Sequence, residues 1–261
     1  MHDNPSSLET AHASETPDIS AAGFYAKGVD PLRYDGHTTD PDEVAATIAS
    51  LVPEGSRVLD VGCGTGSVSR IIVELRHATL TGVEPDPLRA SRAAERELEV
   101  YSGFLTEQLA DRLGVMTFDV VAFADVLEHL ADPLSLLALA KRALRPGGLV
   151  VASVPNVAHW SVRANLLRGR FNYESCGIMD ATHLRWFTRD TIGLLMEQAG
   201  LEVVQIRTTA GLDLSVHLFG RPFKWIARRH RDRLLRRLHR RLPKLFACQF
   251  VVQARCPGDS T

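Results

Sequence analysis

Hydrophobic positions along the chain follow two alternating rhythms. Short, nearly continuous apolar runs occur at RVLDVG (57–62), ATLTGVEP (78–85), EVYSGFL (99–105), FDVVAFADVL (118–127), GGLVVASVPN (147–156), LEVVQIRT (201–208) and LFACQFVVQARC (245–256). Between most of them lie stretches whose apolar residues return every three or four positions: VSRIIVELR (68–76), PLRASRAAEREL (87–98), TEQLADRL (106–113), DPLSLLALAKRAL (132–144) and RDTIGLLMEQAG (189–200). The runs read as strands covered on both faces, and the spaced patterns as helices with one apolar side. Their alternation predicts a mostly parallel sheet with helices packed on both faces. A leading helix is expected in DPDEVAATIASLVPEG (40–55), which has an acidic first turn, Val44, Ile48 and Leu51 at helical spacing, and a Pro/Gly stop.

Length and composition fit one substantial core with additions: 261 residues, 45% of them hydrophobic. Residues 1–20 are polar and rich in Ser, Thr, Glu and Pro, a composition that predicts a disordered tail. No run of eighteen apolar residues and no basic-then-apolar leader occurs, and the four cysteines are scattered without a CxxC pair. These features lead us to expect a reduced, cytosolic protein. The net charge of −1 conceals an uneven distribution, because residues 221–244 carry eleven Lys/Arg against the single acid Asp232. That segment reads as a helical insertion within about 211–244. Leu235, Leu238 and Leu242 fall on one face of it, with Trp225 and Ile226 near its start. Such a helix can pack on the domain, lie on anionic lipid, or steer an anionic acceptor. No recognised nucleic-acid module accompanies the charge, so nucleic acid is not expected as a partner.

The candidate chemistry begins at VLDVGCGTGS (58–67). Glycines at the end of a first strand admit a ligand that a Cβ would push away. A dinucleotide fingerprint needs G-x-G-x-x-G/A, but the sixth position counted from Gly62 is Ser67, and Asp60 beside the turn would repel a pyrophosphate. An ammonium-bearing, phosphate-free ligand fits better. Glu84, closing the next strand, is suited to accept hydrogen bonds from both hydroxyls of a ribose. With GVEPD, FDVVAFADVLEHLADP and LRPGGLVVASVPN following in order, the stretch from about Arg57 to Leu201 resembles class I S-adenosylmethionine-dependent methyltransferases.

That resemblance implies a Rossmann-like, doubly wound, seven-stranded sheet with an antiparallel last strand, a methyltransferase domain over 21–261, and S-adenosylmethionine as cofactor. It assigns Asp60, Gly62, Gly64 and Gly66 to the methionine end, Glu84 to the ribose and Asp125 to the cofactor's neighbourhood. Where the family often has an acid for the adenine amine, YSGFL offers Phe104, which implies stacking. Cys63 reads as a small filler rather than a nucleophile, having no neighbouring His or Lys to lower its pKa.

Residues 155–188 form a long interruption facing the cofactor edge, the natural wall for a methyl acceptor. His183, oriented by Asp180, is the preferred general base, and His129, in an EHL element resembling ubiquinone-type O-methyltransferases, is the second candidate. Asn156, His159, Arg163 and Arg170 are further candidates for polar contacts. No third metal ligand is evident beside Asp180 and His183, so no metal is expected. The expected activity is methyl transfer to a hydroxyl, less readily an amine, of a small molecule or saccharide, including lipid-linked or natural-product intermediates. The rival reading is a non-catalytic, S-adenosylmethionine-binding accessory protein that regulates a partner enzyme. The basic segment leaves peripheral contact with an anionic membrane open, and oligomeric state has no signature in the sequence.

Overall fold

Successive residues of the central strands face opposite sides of a sheet, and here both sides are apolar. In β4 (Phe118–Ala124), Val120 and Ala122 enter one buried cluster while Val121 and Phe123 enter another. In β5 (Leu144–Pro155), Val151 joins the first cluster and Val150 and Ala152 the second. The computed structural model describes residues 30–36, 38–212 and 228–257. The expected tail at 1–20 and the residues Trp225 and Ile226 lie outside the described residues.

The sheet has seven strands in the order β3-β2-β1-β4-β5-β7-β6. The remaining strands are β1 (Arg57–Val61), β2 (Thr79–Glu84), β3 (Glu99–Ser102), β6 (Glu202–Thr208) and β7 (Gln249–Arg255). All neighbouring pairs are parallel except those of β7, which runs antiparallel to both β5 and β6. The doubly wound sheet with a reversed last strand is therefore present as expected. Strand order reverses between β1 and β4, so their carboxyl ends open a crevice not covered by a crossover.

Helices α1 (Val44–Leu51) and α2 (Ser67–Arg76) cover one face, with Ile48, Ile71 and Ile72 packed on Val58 and Val120. The other face is covered by α5 (Pro133–Ala143) and α7 (Arg189–Gln198), through Leu137, Ala140, Ile192 and Met196. Between these come α3 (Pro87–Glu95), capped by Asp86, and α4 (Glu107–Leu113), capped by Thr106. A helix α6 (Trp160–Leu167) occupies part of what reads in sequence as one long interruption. Its apolar residues are split, with Val162 buried, Trp160 and Ala164 half-buried, and Leu166 and Leu167 exposed, so it lacks the one-sided spacing that marks the other helices.

The basic segment forms α8 (Arg228–Arg241) and the short α9 (Pro243–Phe246). Leu235 is 2% exposed and packs on Ala210 and Leu212. The acids expected to open α1 precede it and receive this helix instead. Arg236 pairs with Asp40 and Asp42, and Arg240 donates to Asp42 at 2.7 Å. The apolar stripe is shorter than anticipated, because Leu242 lies beyond α8 and is exposed. A docked helix accounts for Leu235, the residue that a lipid-bound helix would need free. No helix among the described residues is long and apolar enough to cross a membrane.

Gly66 is a glycine of the first turn that packing requires. It sits at φ +77°, and a Cβ there would lie 2.5 Å from Leu98 Cδ1 and 3.0 Å from Ala93 Cβ. Gly66→Ala is therefore expected to destabilise the fold by about 1–3 kcal/mol. Urea denaturation followed by circular dichroism measures this, and a midpoint equal to wild type would show that α3 yields without cost.

Candidate active site

The crevice at the β1/β4 reversal deepens into a cavity of about 610 Å³, within the ordinary range for small-molecule sites. At its floor the turn after β1 presents backbone. Gly64, at φ +57°, has no atom within 4 Å of where a Cβ would stand, whereas a Cβ on Gly62 would meet Val126 Cγ2 at 2.7 Å. Glu84, 3% exposed at the end of β2, clasps this turn: its Oε2 accepts from Gly64 N–H at 2.8 Å and its Oε1 from Asp86 N–H at 3.0 Å. Each carboxylate oxygen retains acceptor capacity, and the residue lines the cavity.

Asp60 is placed differently from the expectation. It is fully buried and does not line the cavity; its Oδ2 accepts from Ser69 Oγ at 2.5 Å, beneath the turn at the start of α2. Its Oδ1 has no hydrogen-bond partner among the described residues. Burial pushes its pKa up to about 6, with the Glu84 charge acting in the same direction against the Ser69 hydrogen bond. Direct pairing with a ligand ammonium is thus corrected to a charge set behind the glycines. Gly66 is likewise not a lining residue, for the packing reason given above. Cys63 is buried, its thiol pushed up by that burial, and its sulfur would meet a Cβ on Gly82 at 2.7 Å, so it does fill space.

After β4 the chain turns sharply at Asp125, a non-glycine residue at φ +55°. Ser153 Oγ donates to its Oδ1 at 2.6 Å and Gln249 Nε2 to its Oδ2 at 2.7 Å, and these contacts hold the left-handed conformation. The single helical turn Leu127–His129 follows, and Glu128 and His129 enter the cavity wall. Across from them the segment 177–183 contributes Gly177, Ile178, Thr182 and His183. The two segments are joined by backbone, since Leu184 N–H and Arg185 N–H both donate to the Glu128 carbonyl, at 2.8 and 2.9 Å.

His129 and His183 therefore meet, ring centroids 4.9 Å apart and nearly edge to face. His129 Nδ1 bonds the Thr182 carbonyl at 3.2 Å, and His183 Nδ1 bonds the Ile178 carbonyl at 3.1 Å. A carbonyl only accepts, so each Nδ1 carries the hydrogen and each Nε2 keeps its lone pair. Burial lowers the pKa of both rings, that of His183 to about 4, where the neighbouring His129 adds to the effect. Glu128 is 1% exposed, and neither carboxylate oxygen has a hydrogen-bond partner among the described residues. Burial raises its pKa well above the usual range, and Asp125 adds to this. One ligand atom each from Glu128, His129 and His183 falls within 4.8 Å of the others, a grouping that shares His183 but not Asp180 with the pair considered from sequence.

Asp180 does not orient His183. Its carboxylate is fully buried and engaged by Arg33 (Nη2, 3.0 Å), the Tyr34 hydroxyl (2.9 Å) and Thr182 (amide 2.9 Å, hydroxyl 2.6 Å). It anchors residues 30–36, which close one side of the cavity through Pro31, Arg33, Tyr34 and Gly36. Asp35 pairing with Arg96 at 2.8 Å and the Pro31 carbonyl accepting from Arg89 fasten the same segment. Asn156, His159, Arg163 and Arg170 are also corrected. Asn156 holds the Ala247 carbonyl and His159 caps α6, while the two arginines are exposed, and none lines the cavity. Phe104, 76% exposed, does line it.

With this geometry in view, a family model described as a methyltransferase domain matches residues 34–206. The chain belongs to the class I S-adenosylmethionine-dependent methyltransferases. The ubiquinone biosynthesis O-methyltransferase of Pseudomonas aeruginosa is 32% identical over 159 residues, which are 58% of this chain and 67% of that protein. A methyltransferase structure from Archaeoglobus fulgidus aligns with a TM-score of 0.54 at 20% identity, covering 81% of this chain and 92% of its own. The Burkholderia thailandensis 1,6-didemethyltoxoflavin-N1-methyltransferase, solved with S-adenosylhomocysteine, aligns at 0.51 and 18% identity over 84% of this chain and 80% of its own. At such identities the structural likenesses speak to the fold. The cofactor of this methyltransferase is S-adenosylmethionine, and the residues present fit it: bare backbone at Gly64, a carboxylate with free acceptor capacity at Glu84, and an exposed ring at Phe104.

The Asp180 anchor has a measurable consequence. Burial alone would raise its pKa, but the Thr182 hydrogen bonds and the Arg33 guanidinium outweigh it and hold the carboxyl below its ordinary value. A depressed carboxyl contributes stability that is present above the unfolded aspartate value and lost as pH falls through the folded one. Arg33→Ala should cost about 1–3 kcal/mol at pH 7, with the gap to wild type closing below about pH 4. Thermal melts across pH check this, and a gap independent of pH would remove the charge from the explanation.

Proposed function

We propose that this methyltransferase transfers the methyl group to a hydroxyl oxygen of a small molecule or saccharide. The observation that carries the proposal is the pair of neutral imidazoles, His129 and His183, with their Nε2 lone pairs at one cavity that also contains Gly64 and Glu84. An alcohol or phenol must lose a proton as it is methylated, whereas an amine can attack first and lose it afterwards, so a hydrogen-bond acceptor beside the nucleophile favours oxygen. The Pseudomonas relative's name, an O-methyltransferase, supports the same reading.

In this reading the methionine end of the cofactor rests on the turn at Gly62 and Gly64, Glu84 accepts from the ribose hydroxyls, and Phe104 flanks the adenine. Asp125 stands beside the cofactor at the end of β4. When bound, S-adenosylmethionine supplies an electrophilic methyl on a sulfonium centre. The chain's own part is alignment and exclusion of water. Residues 30–36 and 177–183 enclose the acceptor, and aligning two reactants of this kind removes up to roughly 7–11 kcal/mol of barrier. His183, with His129 beside it, accepts a hydrogen bond from the acceptor hydroxyl and takes up its proton.

Glu84→Gln should weaken S-adenosylmethionine binding by roughly ten- to a hundredfold, the loss expected for a charge-assisted pair. Asp60→Asn, which alters a charge lying behind the turn, should weaken it less. Calorimetric titration orders the two, and the reverse order would return Asp60 to direct contact. His183→Ala should keep cofactor affinity while lowering labelled-methyl transfer to a hydroxyl acceptor by about 10²- to 10⁴-fold. An unchanged rate would remove His183 as the proton acceptor, and transfer confined to amines in an acceptor panel would overturn the oxygen assignment.

A further inference from the structure

Glu128 has a problem that its protonation cannot solve. As a carboxylate it is a buried charge without a donor, and as a carboxylic acid it has no acceptor for its hydrogen, since neither oxygen has a partner among the described residues. An unsatisfied buried polar group in a native fold costs about 1–3 kcal/mol, and more if charged, unless something outside the chain completes it. Its neighbours indicate what that something is. Potential ligand atoms of His129 and His183 lie close by, all three groups within 4.8 Å of one another. Both imidazoles are already oriented from behind, with Nδ1–H of His129 on the Thr182 carbonyl and that of His183 on the Ile178 carbonyl. A ring that donates through one nitrogen to a backbone carbonyl, leaving the other as a lone pair, has the usual arrangement of a metal-bound histidine.

We propose that Glu128, His129 and His183 bind a divalent ion of the first transition row, with Zn²⁺ as the reference case. Two nitrogens and one carboxylate match such ions and do not suit Mg²⁺ or Ca²⁺, which select oxygen shells. Tetrahedral ligands at about 2.0–2.2 Å from the ion lie roughly 3.4 Å apart, so the three groups draw together by about an ångström on binding. Rotation of the Glu128 side chain supplies much of that movement, because no hydrogen bond restrains it. The backbone bonds from Leu184 and Arg185 to the Glu128 carbonyl keep the two ligand-bearing segments in register meanwhile. Three protein ligands leave at least one position open, and all three residues line the cavity. That position would take an acceptor hydroxyl directly, a step that rests on the proposed function. With both Nε2 lone pairs committed to the ion, the ion would lower the pKa of the bound acceptor hydroxyl, whose proton would pass to solvent water rather than to His183.

The full-length protein, stripped with chelator, is titrated with Co²⁺ followed by visible absorption and with Zn²⁺ followed by calorimetry. One ion per chain is expected, and Glu128→Gln and His183→Ala should each weaken its binding about tenfold or more. Glu128→Gln is isosteric, and its circular dichroism melt verifies that the fold survives. Absence of saturable uptake, or uptake unaltered in both variants, overturns the site. Titration of the same samples with S-adenosylmethionine separates the two readings. Cofactor binding without metal uptake overturns the metal site alone. Metal uptake without cofactor binding supports the site and overturns the cofactor assignment.

Discussion

The clasp between Glu84 and the glycine turn is the contact on which the site depends. One carboxylate, at the end of β2, accepts from the amide of Gly64 after β1 and from the amide of Asp86 at the start of α3. It thereby ties two adjacent strand ends and a helix entrance into one rigid edge. Parallel strands leave their terminal amides unpaired at the point where the strand order reverses, and a side chain or ligand must satisfy them. The turn can approach β2 this closely because Gly82 opposite it has no side chain, leaving room for the Cys63 sulfur. The cofactor cradle is thus a consequence of how the sheet closes its own hydrogen bonds.

The opposite wall is built by a different principle. No strand supplies it; residues 30–36 and 177–183 are held there by the buried Asp180 carboxylate, which collects an arginine, a tyrosine and a threonine. A buried charge with several partners is costly to break and indifferent to small shifts of any one of them. This wall can therefore be shaped to an acceptor without altering the sheet, and the docked helix α8 extends the same strategy by pairing Arg236 and Arg240 with Asp40 and Asp42.

What was legible in the sequence is what depends on periodicity and on strand ends. The sheet follows from the alternating apolar runs, whereas its reversed last strand and the places of Gly64, Glu84, Asp125 and His129 are what the resemblance to class I methyltransferases implies, and His183 is singled out by the long interruption after β5. The errors concern direction and long-range partnership. Asp60 alternates inward because β1 is buried on both faces, and no local pattern tells a ligand-facing carboxylate from one bonded to Ser69 in the next helix. Asp180 lies three residues from His183, yet its partners Arg33 and Tyr34 are almost 150 positions away. Glu128 stood in plain view within EHL, but its lack of any partner is a property of the fold. Helix α6 lacked an apolar face to announce it.

The charge of the cavity connects these observations. Glu43, Glu84, Asp125 and Glu128 line it, against Arg33 and Arg89. Arg33 is neutralised by Asp180, and Arg89 is drawn to the Pro31 carbonyl at the edge. Asp60 adds a further carboxylate from behind the turn. Low-dielectric walls concentrate such a field, so the interior favours cations and opposes phosphates. That preference suits a sulfonium nucleoside at the Glu84 end and a divalent ion at the Glu128 end. It also explains why burial has to dominate at the two histidines: near so many carboxylates an accessible imidazole would be drawn to its charged form, and its lone pair would be lost to either task.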